Sequence, residues 1–371
     1  MIRWIPGRRS TWFLVGGALV LSGWALSQTP GTSDDAPANQ LLLKDYRPKS
    51  IYKIPVTKVE KARFPVIDVH SHAYPKTPEE IGQWVKNMDA AGIEKTIVLS
   101  GATGSKFNEL FAQYSAYPGR FEVWCGIDFT RYDQPGFPER AAAELERCAR
   151  VGARGVGELG DKGNGLAFGQ VKALGLHPDD PRMDKVFQKC AELKLPVNLH
   201  VADPIWMYQP MDATNDGLMN ALEWRLDNQP DIVVHDGMIE ILAKTVKRHP
   251  RTTFIACHFA NLCYDLTRLG ELLDTYPNLY ADISARYAET APIPRFVSSF
   301  YRKYADRLLY GTDMGFDLSM YRITFRVLET LDEHFYEQEQ FGYHWSMNGF
   351  GLEDGVLRRI YRENALKILK K

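Results

Sequence analysis

The sequence lacks a charge bias. Its 45 lysines and arginines stand against 46 aspartates and glutamates, a formal net charge of −1 over 371 residues. That balance excludes a chain built to grip nucleic acid by its phosphates. No zinc-finger spacing, Walker lysine loop or dinucleotide fingerprint occurs where it could work. Cysteine is scarce, with five residues (Cys125, Cys148, Cys190, Cys257, Cys263). An odd number without regular spacing excludes a disulfide framework, and most lie in apolar strand or helix patterns, so buried thiols are expected. The marked apolar run, Thr11–Leu26, is short for a comfortable membrane span.

That run has a different reading. Three arginines in "MIRWIPGRRS", the run itself, and the small-residue pattern Ala25-Leu26-Ser27 before Gln28 together predict a cleavable signal peptide over residues 1–27. The mature chain is then periplasmic or extracellular; an uncleaved leader acting as a membrane anchor is the alternative. Arg8-Arg9 before Phe13-Leu14 resembles a twin-arginine signal at the wrong spacing, so the export route stays open. No cysteine follows the run, against a lipoprotein anchor. Removing residues 1–27 leaves 42 basic and 46 acidic side chains, a mildly acidic protein with no stable membrane insertion. Residues 28–63 comprise a polar tether and then "LLLKDYRPKSIYKIPVTKVEKAR", expected to be extended and packed on the main domain.

From Phe64 a rhythm begins that runs to the end, residues 64–371. Eight short apolar segments recur: "FPVIDVHSH", "KTIVLSG", "FEVWCGIDF", "ARGVGELG", "LPVNLHV", "TTFIACHFA", "NLYADISA" and "RLLYGTDM". Most are followed by helical periodicity. In "PEEIGQWVKNMDAAGI", Ile81, Trp84, Val85 and Met88 fall at i, i+3, i+4, i+7, with Gly92 as the stop. Asp180 and Pro181 are placed to start the helix after strand four, and the last helix carries a stripe of Val356, Leu357, Ile360 and Tyr361. Eight strands alternating with helices predict an α/β protein, a single-domain (β/α)8 barrel with insertions after strands four, five and eight.

The strand ends carry the chemistry. Alternation predicts that Asp68, His70 and His72 share one face while Ile67 and Val69 face the helices. At or near the ends of later strands stand Glu158, His200, His258 and Asp313. One such histidine alone is more often a hydrogen-bonded core residue, and one such acid a helix cap. Six metal-competent side chains in one layer of a barrel mouth point instead to a metal site. The other histidines give weaker signals: His177 lies in a loop, His235 and His249 fall in helical patterns facing solvent or a neighbour, and His334 and His344 follow strand eight. Trp206 and Tyr208, after strand five, are suited to stacking on a flat substrate or to packing the insertion. Arg286, past strand seven, is suited to a substrate carboxylate or to a surface ion pair.

The His-x-His of strand one, the histidines of strands five and six, "GTD" at strand eight and the closing "NALKIL" helix together resemble the amidohydrolase superfamily, in the branch that also holds non-oxidative decarboxylases. The resemblance covers roughly residues 64–369. It implies that His70, His72, His200 and Asp313 bind a divalent metal. His258 then ligates a second ion or polarises the substrate, and Glu158 stands where some relatives have a bridging carboxylate. One or two ions remain open; zinc is expected, with manganese or iron as alternatives. The expected activity is hydrolysis of a small-molecule amide, ester or lactone through a metal-activated water, with Asp313 as proton carrier and His258 as hydrogen-bond donor. Decarboxylation of an aromatic or unsaturated acid uses the same ligands and is the alternative. A metal-binding module without catalysis is disfavoured, because the base and polariser positions are filled. The expected partner is a small molecule; self-association is open, with no apolar patch that identifies an interface.

Overall fold

The computed structural model describes residues 38–168 and 171–369. The expected signal peptide, residues 1–27, and the start of the tether lie outside the described residues. Among the described residues no helix is long and apolar enough to cross a membrane.

Eight parallel strands form the barrel wall: β1 (Val66–Ser71), β2 (Ile93–Leu99), β3 (Phe121–Trp124), β4 (Val156–Asp161), β5 (Val197–Val201), β6 (Phe254–Ala256), β7 (Leu279–Asp282) and β8 (Leu308–Leu309). β1 to β3 pair in order, as do β4 to β8. Cys125 bridges β3 to Val156 of β4. At the other seam, Val69 N donates to Tyr310 O at 3.0 Å, and Asp313 N donates to His70 O at 2.9 Å. These bonds join β8 back to β1, which makes the sheet a (β/α)8 barrel. Each strand is followed by a longer helix: α1 (Pro78–Ala91), α2 (Gly104–Ser115), α3 (Phe137–Val151), α4 (Asp184–Glu192), α5 (His235–Arg248), α6 (Leu266–Thr275), α7 (Pro294–Lys303) and α8 (Leu318–Glu329). The segment after β4 adds an antiparallel pair, Ala167–Phe168 with Val171–Lys172, to that strand's edge.

Local sequence explains the helix ends. The Thr77 hydroxyl caps α1 by accepting from Glu80 N, Pro78 follows, and Gly92 stops the helix at φ +87°. Ile81, Trp84 and Met88 are buried and Val85 is half-buried. Asp180 accepts from Arg182 N, capping the short turn Pro181–Met183 that leads into α4. All five cysteines are free and buried. Residues 46–60 form no helix or strand; Thr57 is tied to Asp332 and Arg63 to Glu329 and Asp354.

The strand-one alternation needs correction. Ile67 and Val69 do not face the helices but pack with Ile97, Leu99, Ile255 and Leu309, closed off by Ala365 and Ile368 of the last helix. Asp68 turns to Thr312 instead, accepting from its hydroxyl at 2.7 Å, and burial pushes its carboxyl up to about 7. The register shifts between Asp68 and Ser71. A bulge there breaks the period of two, and it lets His70 point into the barrel mouth two residues after Asp68 points elsewhere.

Candidate metal centre

His70 lies on β1, His72 directly after it, His200 on β5 and His258 just past β6. Gly311 makes room for the first: a Cβ there would sit 2.8 Å from His70 Cβ. His258 begins a turn in which His258, Phe259, Ala260 and Asn261 all take positive φ, between +54° and +59°. Left-handed backbone costs L-residues about 1–2 kcal/mol each. Burial of the whole turn holds it in place.

Each ring has one nitrogen committed outward. His70 Nδ1 lies 2.9 Å from Asp282 Oδ2, His72 Nδ1 2.9 Å from Leu99 O, and His258 Nδ1 2.9 Å from Ser284 O. His200 is reversed, with Nε2 3.1 Å from Asp203 Oδ1. An acceptor behind each ring fixes the proton there and aims the other nitrogen's lone pair at the centre. At that centre stand two carboxylates. His72 Nε2 is 3.0 Å from Asp313 Oδ1 and 3.3 Å from Glu158 Oε2. His70 Nε2 is 3.7 Å from both Glu158 Oε1 and Asp313 Oδ1. His258 Nε2 is 3.5 Å from Glu158 Oε1 and 3.6 Å from Asp313 Oδ2, and His200 Nδ1 is 2.5 Å from Glu158 Oε1.

Four imidazoles and two carboxylates thus converge on one small volume, with Tyr74 OH donating to Asp313 Oδ1 at its edge. His70 Nε2 is buried without a hydrogen-bond partner and is aimed at the two carboxylates, a costly arrangement that a cation bound between them would relieve. Three overlapping sets offer converging ligand atoms: His70, His72 and Glu158; Glu158, His200 and His258; and His70, His258 and Asp282. Imidazole nitrogen with carboxylate oxygen fits a divalent cation. The protons respond to the same field. Burial opposes charging His70, His72 and His200, but the surrounding carboxylates outweigh it and raise all three, His200 to about 9. His258 goes the other way, lowered by burial and then by Arg286. Burial would raise Glu158 and Asp313, yet the neighbouring imidazoles hold both well below the usual carboxylate range.

A second cluster adjoins the first. Asn261, at the end of the His258 turn, accepts from Arg286 Nε at 3.1 Å and Nη2 at 2.7 Å. Arg286 Nε is also 3.3 Å from Glu289 Oε2, and Nη1 donates to Ala285 O. Tyr343 donates to Glu289 Oε1 at 2.6 Å and stacks on Trp345 at 4.2 Å. Trp206 completes this aromatic group, 5.9 Å from Trp345 and 6.5 Å from Tyr343. Tyr208 turns away from it, donating to Lys162 O and meeting the His235 ring edge-on.

The sequence profile of a family described as amidohydrolase matches residues 67–371. The chain belongs to the amidohydrolase family. No curated protein matches the chain significantly by sequence. Among solved structures, it is similar to 2,6-dihydroxybenzoate decarboxylase from Rhizobium, at TM-score 0.51 and 18% identity over 83% of this chain and 99% of that one. A dihydroxybenzoic acid decarboxylase from Polaromonas, with bound manganese and the inhibitor 2-nitroresorcinol, gives TM-score 0.53 and 18% identity over 83% and 97%. An uncharacterized TIM-barrel protein from Bordetella bronchiseptica gives TM-score 0.55 and 18% identity over 83% and 99%. At such identities the likeness is one of fold.

Within this amidohydrolase barrel the six strand-end residues sit together, although Glu158 lies mid-strand and His258 and Asp313 lie beyond their strands. The remaining histidines lie outside the cage. His177 pairs with Asp161, and of the two surroundings expected for His235 and His249 the structure shows a neighbour rather than solvent: His235 meets Asn261 O and His249 meets Asp184. Sequence reasoning missed the residues behind the ligands. Asp282 ends β7 in the same layer as the others, a signal that was present. Asp203, three residues after His200, binds Lys162 Nζ at 2.5 Å on its far side. Asn261, Glu289, Tyr343 and Trp345 carried no such signal.

Proposed function

We propose that this amidohydrolase is a metal-dependent, non-oxidative decarboxylase of a planar aromatic carboxylic acid. The observation that carries this reading is the pairing of a cage of imidazoles and carboxylates with an aromatic wall and a guanidinium beside it. The names of the Rhizobium and Polaromonas relatives, both dihydroxybenzoate decarboxylases, support it.

His70, His72, His200 and Asp313 are the residues that would hold the cation, zinc on the imidazole-rich donor set or manganese as in the Polaromonas relative. When bound, the cation supplies a Lewis acid that polarises and orients a substrate oxygen. Trp206, Tyr343 and Trp345 offer flat surfaces on which an aromatic ring can stack. Of the five Arg286 N–H groups, Asn261 and Ala285 take three, leaving one on each terminal nitrogen for a carboxylate or phenolate oxygen. Decarboxylation then needs a proton at the ring carbon that bears the carboxyl group. As that C–H bond forms and the C–C bond breaks, carbon dioxide leaves and the electron pair of the broken bond restores the aromatic ring. Asp313 would carry the proton on Oδ2, a reading supported by the engagement of Oδ1 by Tyr74 OH at 3.2 Å and by His72. His258, its Nδ1 fixed on Ser284 O, faces the same space.

Hydrolysis is the second reading, and one observation favours it. Glu158 divides its oxygens, Oε2 toward His72 and Oε1 toward His200 and His258, as a carboxylate spanning two cations would. Paired cations that activate water are a hydrolytic device. Trapped carbon dioxide against titrated new acid, over a panel of hydroxybenzoates, esters and lactones, separates the two. Carbon dioxide release with one bound cation supports the decarboxylase; new acid with two cations and no carbon dioxide rejects it.

A further inference from the structure

Large apolar side chains are exposed unevenly over this protein. Among the described residues fifteen are exposed, and eight of them fall between Leu41 and Val56. Ile51 is 84% exposed and Val56 75%. Interleaved with them, residues 41–63 carry seven basic side chains and two acidic ones, so the rest of the chain is acidic on balance. All seven basic residues are exposed. Lys44, Arg47, Lys49 and Lys53 make no ion pair among the described residues. The backbone from 46 to 60 joins no helix or sheet, with Pro48 and Pro55 interrupting it. It is tied to the barrel at its middle and its C-terminal end: Ser50 Oγ lies 3.2 Å from His334 Nδ1, Tyr52 meets the His334 ring edge-on, Thr57 binds Asp332, and Arg63 N donates to Glu329.

We infer that residues 41–56 form a docking strip for an anionic lipid bilayer surface. Contiguous exposed apolar area marks an interaction site rather than ordinary surface. The charge selects the occupant. Two copies of this chain paired strip to strip would bring like charges together, which opposes a symmetric dimer through this face. An anionic headgroup layer with hydrocarbon beneath matches both halves of the pattern: Lys and Arg meet lipid phosphates while Leu42, Ile51 and Val56 enter the acyl boundary. The strip can lie flat because its backbone polar groups stay at the wet interface.

The native thiols are all buried, so an introduced surface cysteine labels selectively. The full chain carrying Ile51→Cys or Val56→Cys, labelled with an environment-sensitive dye, is mixed with vesicles of equimolar phosphatidylglycerol and phosphatidylcholine. The expected result is a blue shift at both positions and none at Lys185→Cys on α4. Each basic residue near such a surface is worth about fivefold in binding. Adding Lys49→Glu and Lys53→Glu therefore raises the lipid needed for the half-maximal shift at least about 25-fold. No shift, an equal shift at position 185, or an equal shift on pure phosphatidylcholine overturns the proposal. So does a shift without vesicles that grows with protein concentration, which assigns the strip to a second copy.

Discussion

The two ends of the site are built by opposite means. At the metal-competent end, His70 and His200 sit on strands and His72 and His258 directly follow them, each with a carbonyl or carboxylate locking the ring from behind. At the aromatic end, Arg286, Glu289, Tyr343 and Trp345 come from loops and a four-residue helix, and they hold one another. The first end is set by the barrel wall and would look the same for many reactions. The second comes from the loops after β5, β7 and β8, and on the proposed reading it would recognise the substrate. The two ends can then be probed by separate mutations.

The largest effect expected is loss of the shared end. His70→Ala with His72→Ala removes two imidazoles from the cage; bound metal should vanish in elemental analysis, and turnover should fall at least about 10³-fold. Full activity without metal would break the comparison. A smaller effect is expected one layer back. Asp203→Asn leaves His200 in place but weakens the bond that orients it, and should lower metal affinity about 10–100-fold in chelator competition. An unchanged affinity would show that β5 alone sets the ring. At the recognition end, Arg286→Met must be paired with Glu289→Gln, since a single change strands a buried charge at a cost of about 3–5 kcal/mol. The double variant should raise KM for carboxylic acids about tenfold or more while kcat and metal content hold. A matching loss of metal would erase the boundary between the two ends.

The smallest effect tests where the site stops. His177 and Asp161, just beyond Glu158 on β4 and its loop, pair at 2.7 Å. The bond to Asp161 raises the His177 pKa above 6.5 although burial opposes it. A raised histidine stabilises fully below its unfolded value and loses that contribution as pH rises through the folded one. Thermal melts should therefore show stability falling above about pH 6.5, and His177→Gln should flatten that slope by less than about 1 kcal/mol, the pair being partly solvent-screened. Activity should not change. If it does, the pair belongs to the site.

What could be read from the chain follows the same division. Strand-end residues were legible because a parallel barrel brings together residues at equal depth in each strand, however far apart they lie in sequence. The bulge after Asp68 was not, since a register shift depends on the neighbouring strand's bonds rather than on β1's own residues. Asp282 obeyed the strand-end rule and was overlooked. Tyr343 and Trp345 obey no period, and only the folded segment after β8 places them beside Arg286, whereas Glu289 lies one helical turn from it at i+3. Trp206 stands with them, whereas Tyr208, two residues away on the same turn, does not.

The turn from His258 to Asn261 joins the two ends within four residues. His258 looks into the cage, and Asn261 grips the guanidinium. Because that strained, buried segment has little freedom to stretch, the gap between the cation position and the arginine behaves as a fixed caliper. On the decarboxylase reading, acids of the wrong span would then be refused by length alone, with no lid needed to measure them.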